Sequence, residues 1–329
     1  MKNQPVFEEK SLDGASSCHS SSIIALPDNR LFATWWAGTR EKATDVAIWG
    51  AYLDLKDPSP KWSGHKIIAN TPGKFNGTPV LYLDPDDNLF LFYRSMHHSR
   101  LISGGHTTTT IRYQMSKDLG ETWGNWKFLW KWWFLVIRCK PLKLPSGRVL
   151  LPLHREAFTY QSKFFINDDP YLNDKWRIVG RLNVPGGCLE PSITLTKSGK
   201  ILCALRAFKA KRVYLSTSED EGLTWSKPEA TDIPNPNSQV DILTLRNGHL
   251  LMCCNPVERK RDKLSLIRSV DEGKTWDIEN MYILENAEKT GNFSYPCMIQ
   301  LEDGTIHVTY SWYKKEIHHV TFKEEECFP

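Results

Sequence analysis

A glutamate, a tyrosine, three arginines and two histidines of this 329-residue chain stand at matching distances from a series of short hairpin turns. Measured from the Asn or Gly of each turn, Arg138, Glu190, Gln239 and Tyr295 lie nine residues before it, and His19 ten before. His154, Arg206 and Asn255 lie seven residues after it, and Arg94 six after. In an antiparallel hairpin the start of the first strand and the end of the second share one end, so these side chains collect there. Guanidinium groups gathered at one opening fit an anionic ligand, because their planar fork matches a carboxylate or phosphate. The competing reading is a structural network in which inner strands tie their ends by Arg–carboxylate pairs.

The elements that must position these residues are six apolar strand–turn–strand units: IIALPDNRLFATW, VLYLDPDDNLFLFY, CKPLKLPSGRVLLPL, SITLTKSGKILCAL, ILTLRNGHLLMCC and MIQLEDGTIHVTY. Their markers Asn29, Asn88, Gly147, Gly199, Gly248 and Gly304 are spaced by 59, 59, 52, 49 and 56 residues. A period near fifty built of β hairpins without helical periodicity predicts an all-β chain, a six-bladed β-propeller with residues 1–329 as one domain. Radial blades then bring the polar strand ends to one mouth of the ring.

A second repeat supports that register. Ser116-Lys-Asp118-Leu-Gly120-Glu-Thr122-Trp123 returns as Ser218 to Trp225 and as Ser269 to Trp276. Ser and Asp can bond the backbone of a tight turn, Gly can take a positive φ, and Trp can bury its ring beneath. These turns belong between the third and fourth strands of a blade, with weaker versions at Asp54–Trp62 and Asn167–Trp176. The opening PVFEEKSL is expected to add a strand to the last blade and close the ring. The run WKFLWKWWFLVI, residues 126–137, reads as strand and inter-blade core.

Composition narrows the function classes. The balance of 42 basic to 38 acidic residues gives +4, too little to argue for nucleic acid or a membrane surface. The basic run Glu258–Lys263 reads as a solvated loop. No leader-like start and no span of about 20 apolar residues is seen, and eight cysteines lack Cys-x-x-Cys or scaffold spacing. A cytoplasmic protein with reduced thiols is the expectation. His97-His98, His106 and His318-His319 lack metal-ligand spacing, and no Gly-rich phosphate loop appears, so neither metal nor cofactor is expected.

Taken with these motifs, the chain resembles the sialidase (neuraminidase) superfamily, whose Asp boxes match the Ser-x-Asp-x-Gly-x-Thr-Trp turns and whose fold is a six-bladed propeller. The resemblance is strongest at Cys188-Leu-Glu190-Pro with Leu205-Arg206, at Asn255-Pro256 with Arg261, and at Phe293-Ser-Tyr295-Pro. It is closest to the BNR-repeat sialidase-like branch. It implies an exo-acting, retaining glycosidase for a terminal acidic sugar, sialic acid first. Tyr295 would be the nucleophile, Glu190 its base and Asp45 the acid/base, with Arg40 orienting that acid or touching the sugar. Arg206 and Arg261 would clamp the carboxylate. The family's first clamp arginine is matched here by His19, which an adjacent anion would bias toward its charged form. That difference leaves sialic and uronic acids both open as the sugar.

Two other functions compete. A propeller lyase would use His19, His154 and Tyr295 for proton transfer while Arg neutralises a uronate. A non-catalytic glycan-binding propeller would need the arginines but no nucleophile.

Overall fold

Six antiparallel sheets succeed one another along the chain as the blades of a β-propeller in the computed structural model, which describes residues 2–7, 15–97, 108–132, 134–288 and 290–328. Blade one contains Ser17–Ala25, Arg30–Gly38, Ala47–Asp54 and Lys66–Ala69. Blade two contains Phe75–Leu83, Leu89–Met96, Thr109–Ser116 and Lys127–Trp130. In blade three the inner strand is split into Leu135–Ile137 and Leu142–Lys143, both paired with Val149–Ala157, and Thr159–Asn167 and Arg177–Leu182 follow. Blade four is Cys188–Leu195, Ile201–Ala207, Arg212–Ser218 and Glu229–Pro234; blade five is Asp241–Thr244, Leu250–Cys254, Lys263–Ser269 and Tyr282–Asn286.

Blade six closes the ring across the termini. Phe293–Gln300, Ile306–Trp312 and Glu316–Phe322 come from the end of the chain, and Lys2–Phe7 from its start pairs with Glu316–Phe322. The closing strand begins three residues before the expected segment, whose residues 8–12 lie outside the described ones. Because each sheet is covered on both faces by its neighbours, its inner strands read as continuous apolar runs rather than alternating ones. Phe32, Trp36 and Ile48 of blade one thus pack with Leu89, Leu91 and Tyr93 of blade two. All eight cysteines are buried and none is in a disulfide. No helix among the described residues is long and apolar enough to cross a membrane.

The repeated turns sit where the sequence places them, between third and fourth strands. In blade four, Ser218 Oγ accepts from the Gly222 amide at 2.9 Å, and Asp220 accepts from the Thr224 amide and hydroxyl at 2.8 and 2.5 Å. The same bonds recur around Asp118 and Asp271. Hydrogen bonds from Ser116 and Thr122 pull the Asp118 carboxyl down to about 2. Trp225 stacks on Phe164 of the preceding blade at 4.3 Å, so the turn also joins blades.

Gly222 serves both jobs at once. Its φ is +85°, and a Cβ there would come within 2.3 Å of Leu150 Cδ2 in blade three. Gly304 has nearly the same φ, +86°, but open space around it. Gly304→Ala is therefore expected to cost about 1–2 kcal/mol, the penalty of the left-handed backbone alone. Gly222→Ala is expected to cost more by about another 1–3 kcal/mol from overpacking, read as the difference in urea midpoints.

The run 126–137 departs from expectation. Leu129 and Trp130 pack against the core between blades two and three, and Leu135 and Ile137 are buried within it. Trp132, however, is 73% exposed and Trp126 41%. Trp126 lies under the Arg112 guanidinium at 3.7 Å, a cation–π contact on the outer edge rather than core packing. Periodicity could not distinguish these because the strand ends at Trp130.

Below the mouth, a buried ionic knot ties four blades. Asp241 accepts from Lys140 Nζ at 2.5 Å, Ser192 Oγ at 2.8 Å and the Met298 amide at 2.7 Å. Lys140 also donates to the Met298 carbonyl at 2.7 Å. Burial, the largest single influence, would lower the Lys140 ammonium; the charge and hydrogen bond of Asp241, with smaller contributions from neighbouring groups, together raise it.

Candidate active site

A β-bulge at the same end of four inner strands aims side chains at the ring axis. The register breaks between His19 and Ser22, Gly77 and Val80, Leu189 and Ser192, and Ser294 and Cys297. Ser20, Thr78, Glu190 and Tyr295 occupy these breaks with φ of +67°, +47°, +47° and +59°. Such angles are uncommon for residues other than glycine, and bulges of this kind re-aim a side chain. All four line one cavity of about 80 Å³, joined by Trp36, Arg94, His154 and Arg206 from the ends of the second strands.

The centre of the cavity is a hydrogen-bonded pair. Tyr295 Oη donates to Glu190 Oε1 at 3.0 Å, and Arg206 Nη1 donates to Glu190 Oε2 at 2.5 Å and to Tyr295 Oη at 3.3 Å. Burial would raise the Glu190 carboxyl, but the charge and hydrogen bond of Arg206, with the further cation Arg138, outweigh it, and the group titrates below its ordinary value. Burial and then the Glu190 charge push the Tyr295 phenol up, against Arg206 and Arg261. The pair is thus a neutral phenol donating to a carboxylate.

Cations surround this pair. The Arg138 and Arg261 guanidinium carbons lie 4.9 and 5.6 Å from the Tyr295 ring centroid, and Arg138 Nη2 donates to the Tyr295 carbonyl at 3.1 Å. Asn237 holds two of the arginines, accepting from Arg206 Nε at 2.7 Å through its side chain and from Arg261 Nη2 at 3.0 Å through its carbonyl. Arg261 is half-buried against the mouth rather than part of a solvated loop. Arg94 lines the cavity with its guanidinium carbon 5.2 Å from the Phe75 ring centroid.

The histidines are placed differently from each other. His19 meets the Tyr295 ring edge-on at 4.4 Å. Burial, then the charges of Lys314, Arg261, Arg138 and Arg206, push its pKa well down, so the ring is neutral rather than biased toward charge. Its Nδ1 is buried without a hydrogen-bond partner among the described residues. His154 Nδ1 accepts from the Glu190 amide at 3.3 Å, which places the proton on Nε2, 3.6 Å from Glu156.

Three sequence candidates stand apart from the cavity. Gln239 is buried, and its amide donates to the Val240 carbonyl at 2.5 Å. Arg40 is exposed and does not line the cavity. The exposed Asp45 carboxylate accepts from the Thr39 amide at 2.9 Å and hydroxyl at 3.0 Å. Glu41 of the same segment does line the cavity, ion-paired with Lys314 at 2.8 Å. Among the described residues no group of three His, Cys, Asp or Glu converges as a metal site; His98 and His106 lie outside them.

A family model described as a BNR repeat-like domain matches residues 29–308. The chain belongs to that family. Among solved structures, this BNR repeat-like propeller is similar to the Hadza microbial sialidase Hz136, at 15% identity and a TM-score of 0.83 over 99% of this chain and 69% of that one. It is similar to a protein of unknown function from Dyadobacter fermentans, at 14% identity and 0.81 over 98% and 97%. The intramolecular trans-sialidase from Ruminococcus gnavus, in complex with oseltamivir carboxylate, aligns at 15% identity and 0.77 over 98% and 97%. Identities this low show a shared fold. A search of curated protein sequences finds no match.

Sequence reasoning overlooked Ser20, Thr78, Glu41 and Glu156 of this BNR repeat-like propeller. A signal was present for the first two. Counting nine residues back in blade one reaches Ser20, and Thr78 precedes Pro79 as Glu190 and Tyr295 precede Pro191 and Pro296. Glu41 and Glu156 carry no periodic signal, since a loop and a hairpin end deliver them.

Proposed function

We propose that this propeller is a retaining exo-glycoside hydrolase that releases a terminal acidic sugar, with sialic acid as the first substrate. The observation that carries the reading is the Tyr295–Glu190 hydrogen bond of 3.0 Å beside Arg206. Tyr295 Oη attacks the anomeric carbon as Glu190 takes the phenolic proton. The bond to the leaving oxygen breaks, and that oxygen takes a proton from the acid. Water, giving its proton to the carboxylate that served as the acid, then attacks the same carbon; the bond to Tyr295 breaks and Glu190 returns the phenolic proton, with net retention.

A carboxylate on the anomeric carbon would repel an anionic nucleophile. A phenol held neutral by burial avoids that repulsion until attack begins. Arg206, Arg261 and Arg138 supply the positive field for the carboxylate, and neutral His19 offers it a donor rather than a charge. Arg94 and His154 face the rest of the sugar; Gln239 braces the wall through its backbone contact. Glu41 is ion-paired with Lys314, so the acid in this reading is Asp45, which must leave its bonds to Thr39 and move with its loop to reach the leaving oxygen, with Arg40 on the same segment.

Aryl glycosides of sialic, deaminated sialic and uronic acids test this directly. The aryl sialoside is expected to turn over with the α-anomer as first product by NMR. Inversion, or no turnover of any glycoside, would overturn the hydrolase reading. Neutral His19 touching Tyr295 favours the lyase as second reading, which an unsaturated uronide absorbance would establish.

A further inference from the structure

A second hollow, of about 340 Å³, opens beside the central cavity at the junction of blades three and four. The same three stretches of chain build both. Glu156 lines the centre and Phe158 the hollow; Leu189 lines the centre and Gly187 the hollow; Arg206 lines the centre and Phe208 the hollow. Each pair is two residues apart, so the hollow lies immediately outward of the mouth.

Its walls are aromatic and polar without net charge convergence. Tyr160 and Phe208 stack at 4.3 Å with their planes 24° apart, and Gln161, Asn183 and Lys209 complete the lining. The chain reaches this geometry through Gly186 and Gly187, where a Cβ would meet Lys209 Cβ at 2.6 Å and Tyr160 Cβ at 2.7 Å. Phe158 is the outlier. It sits at the tip of the Ala157–Thr159 hairpin with φ of +59° and is 89% exposed. Stability would favour Asn or Gly there, since an exposed aromatic ring gains no burial and a left-handed backbone costs about 1–2 kcal/mol. Within the chain the ring meets Phe134 and the Arg155 guanidinium, each at 5.9 Å, and most of it stays open to contact from outside.

We propose that this hollow is a subsite for a neutral sugar ring of the glycan whose acidic sugar occupies the central cavity. Flat aromatic faces cover the apolar C–H face of a pyranose, and amides and an ammonium reach its hydroxyl edge. The proposal rests on the glycan reading of the mouth for the chain's other sugar, but its test does not require turnover.

Lactose, cellobiose and maltose are titrated against the full chain by saturation-transfer NMR. At least one is expected to bind. Phe158→Asn is expected to weaken it by about five- to tenfold while leaving the thermal midpoint unchanged or raised, because Asn accepts positive φ. Phe208→Leu is expected to weaken it as well, and Tyr295→Phe to leave it intact. Absence of binding by all three sugars, or binding indifferent to both Phe158→Asn and Phe208→Leu, overturns the subsite. A failure of the aryl glycoside assay alone leaves this result standing and removes only the hydrolase reading.

Discussion

Tyr295→Phe is expected to lower kcat on an aryl sialoside by about three orders of magnitude or more, with circular dichroism and thermal midpoint close to those of the parent. The substitution removes one oxygen, its bond to Glu190 and the longer bond it accepts from Arg206. The ring stays, and with it the edge contact to His19 and the Arg138 and Arg261 guanidinium groups within 6 Å of its centroid. Folding therefore loses little, whereas the reaction loses the atom that forms the covalent intermediate. Single-turnover kinetics check the assignment. The parent should show a burst of aryl alcohol when hydrolysis of the intermediate is slow, and Tyr295→Phe should show none. Unchanged turnover would remove Tyr295 from the mechanism.

The second large effect is on stability. Asp241→Ala strips the buried knot of its anion, leaving the Lys140 ammonium with the Met298 carbonyl and the Met298 amide without its acceptor. Removing one partner of a buried ion pair typically costs about 3–5 kcal/mol, and that range is expected in urea unfolding followed by Trp fluorescence. Lys140→Met in the same chain should recover part of the loss, because the uncompensated charge is then gone. Full recovery would mean that the bonds to Ser192 and Met298 contribute nothing. No recovery would mean that they carry the whole effect.

Much of the frame was legible because it is encoded locally. The hairpin markers and the eight-residue turns specify themselves by Ser, Asp, Gly and Trp within one turn, so the blade register followed from counting. Glu190, Tyr295 and Arg206 were legible for the same reason, each at a constant offset from a marker. The count fails at blade one, where it aligns His19, ten residues before its marker, with Glu190. The bulge shows that Ser20 holds that place. Asp45 and Glu41 were not separable, since four residues of loop can present either carboxylate. The charge run Glu258–Lys263 reads as solvated, and only the family motif singles out Arg261, because a run of charges looks the same in sequence whether one member turns inward or none does.

By itself, the sequence determined a six-fold β repeat, the location of its turns, and a set of cationic, phenolic and carboxylate groups sharing one end of the hairpins. Those are consequences of backbone hydrogen bonding and turn chemistry that act within a few residues. Only the tertiary structure decided which of those groups touch and in which protonation state. The Ser20 amide meets the Ser311 hydroxyl across 291 residues, and Tyr295 meets Glu190 across 105. His19 is held neutral by cations from elements scattered through the chain. Such contacts depend on how the ring closes and on the field that closure concentrates at the mouth, neither of which any local pattern contains.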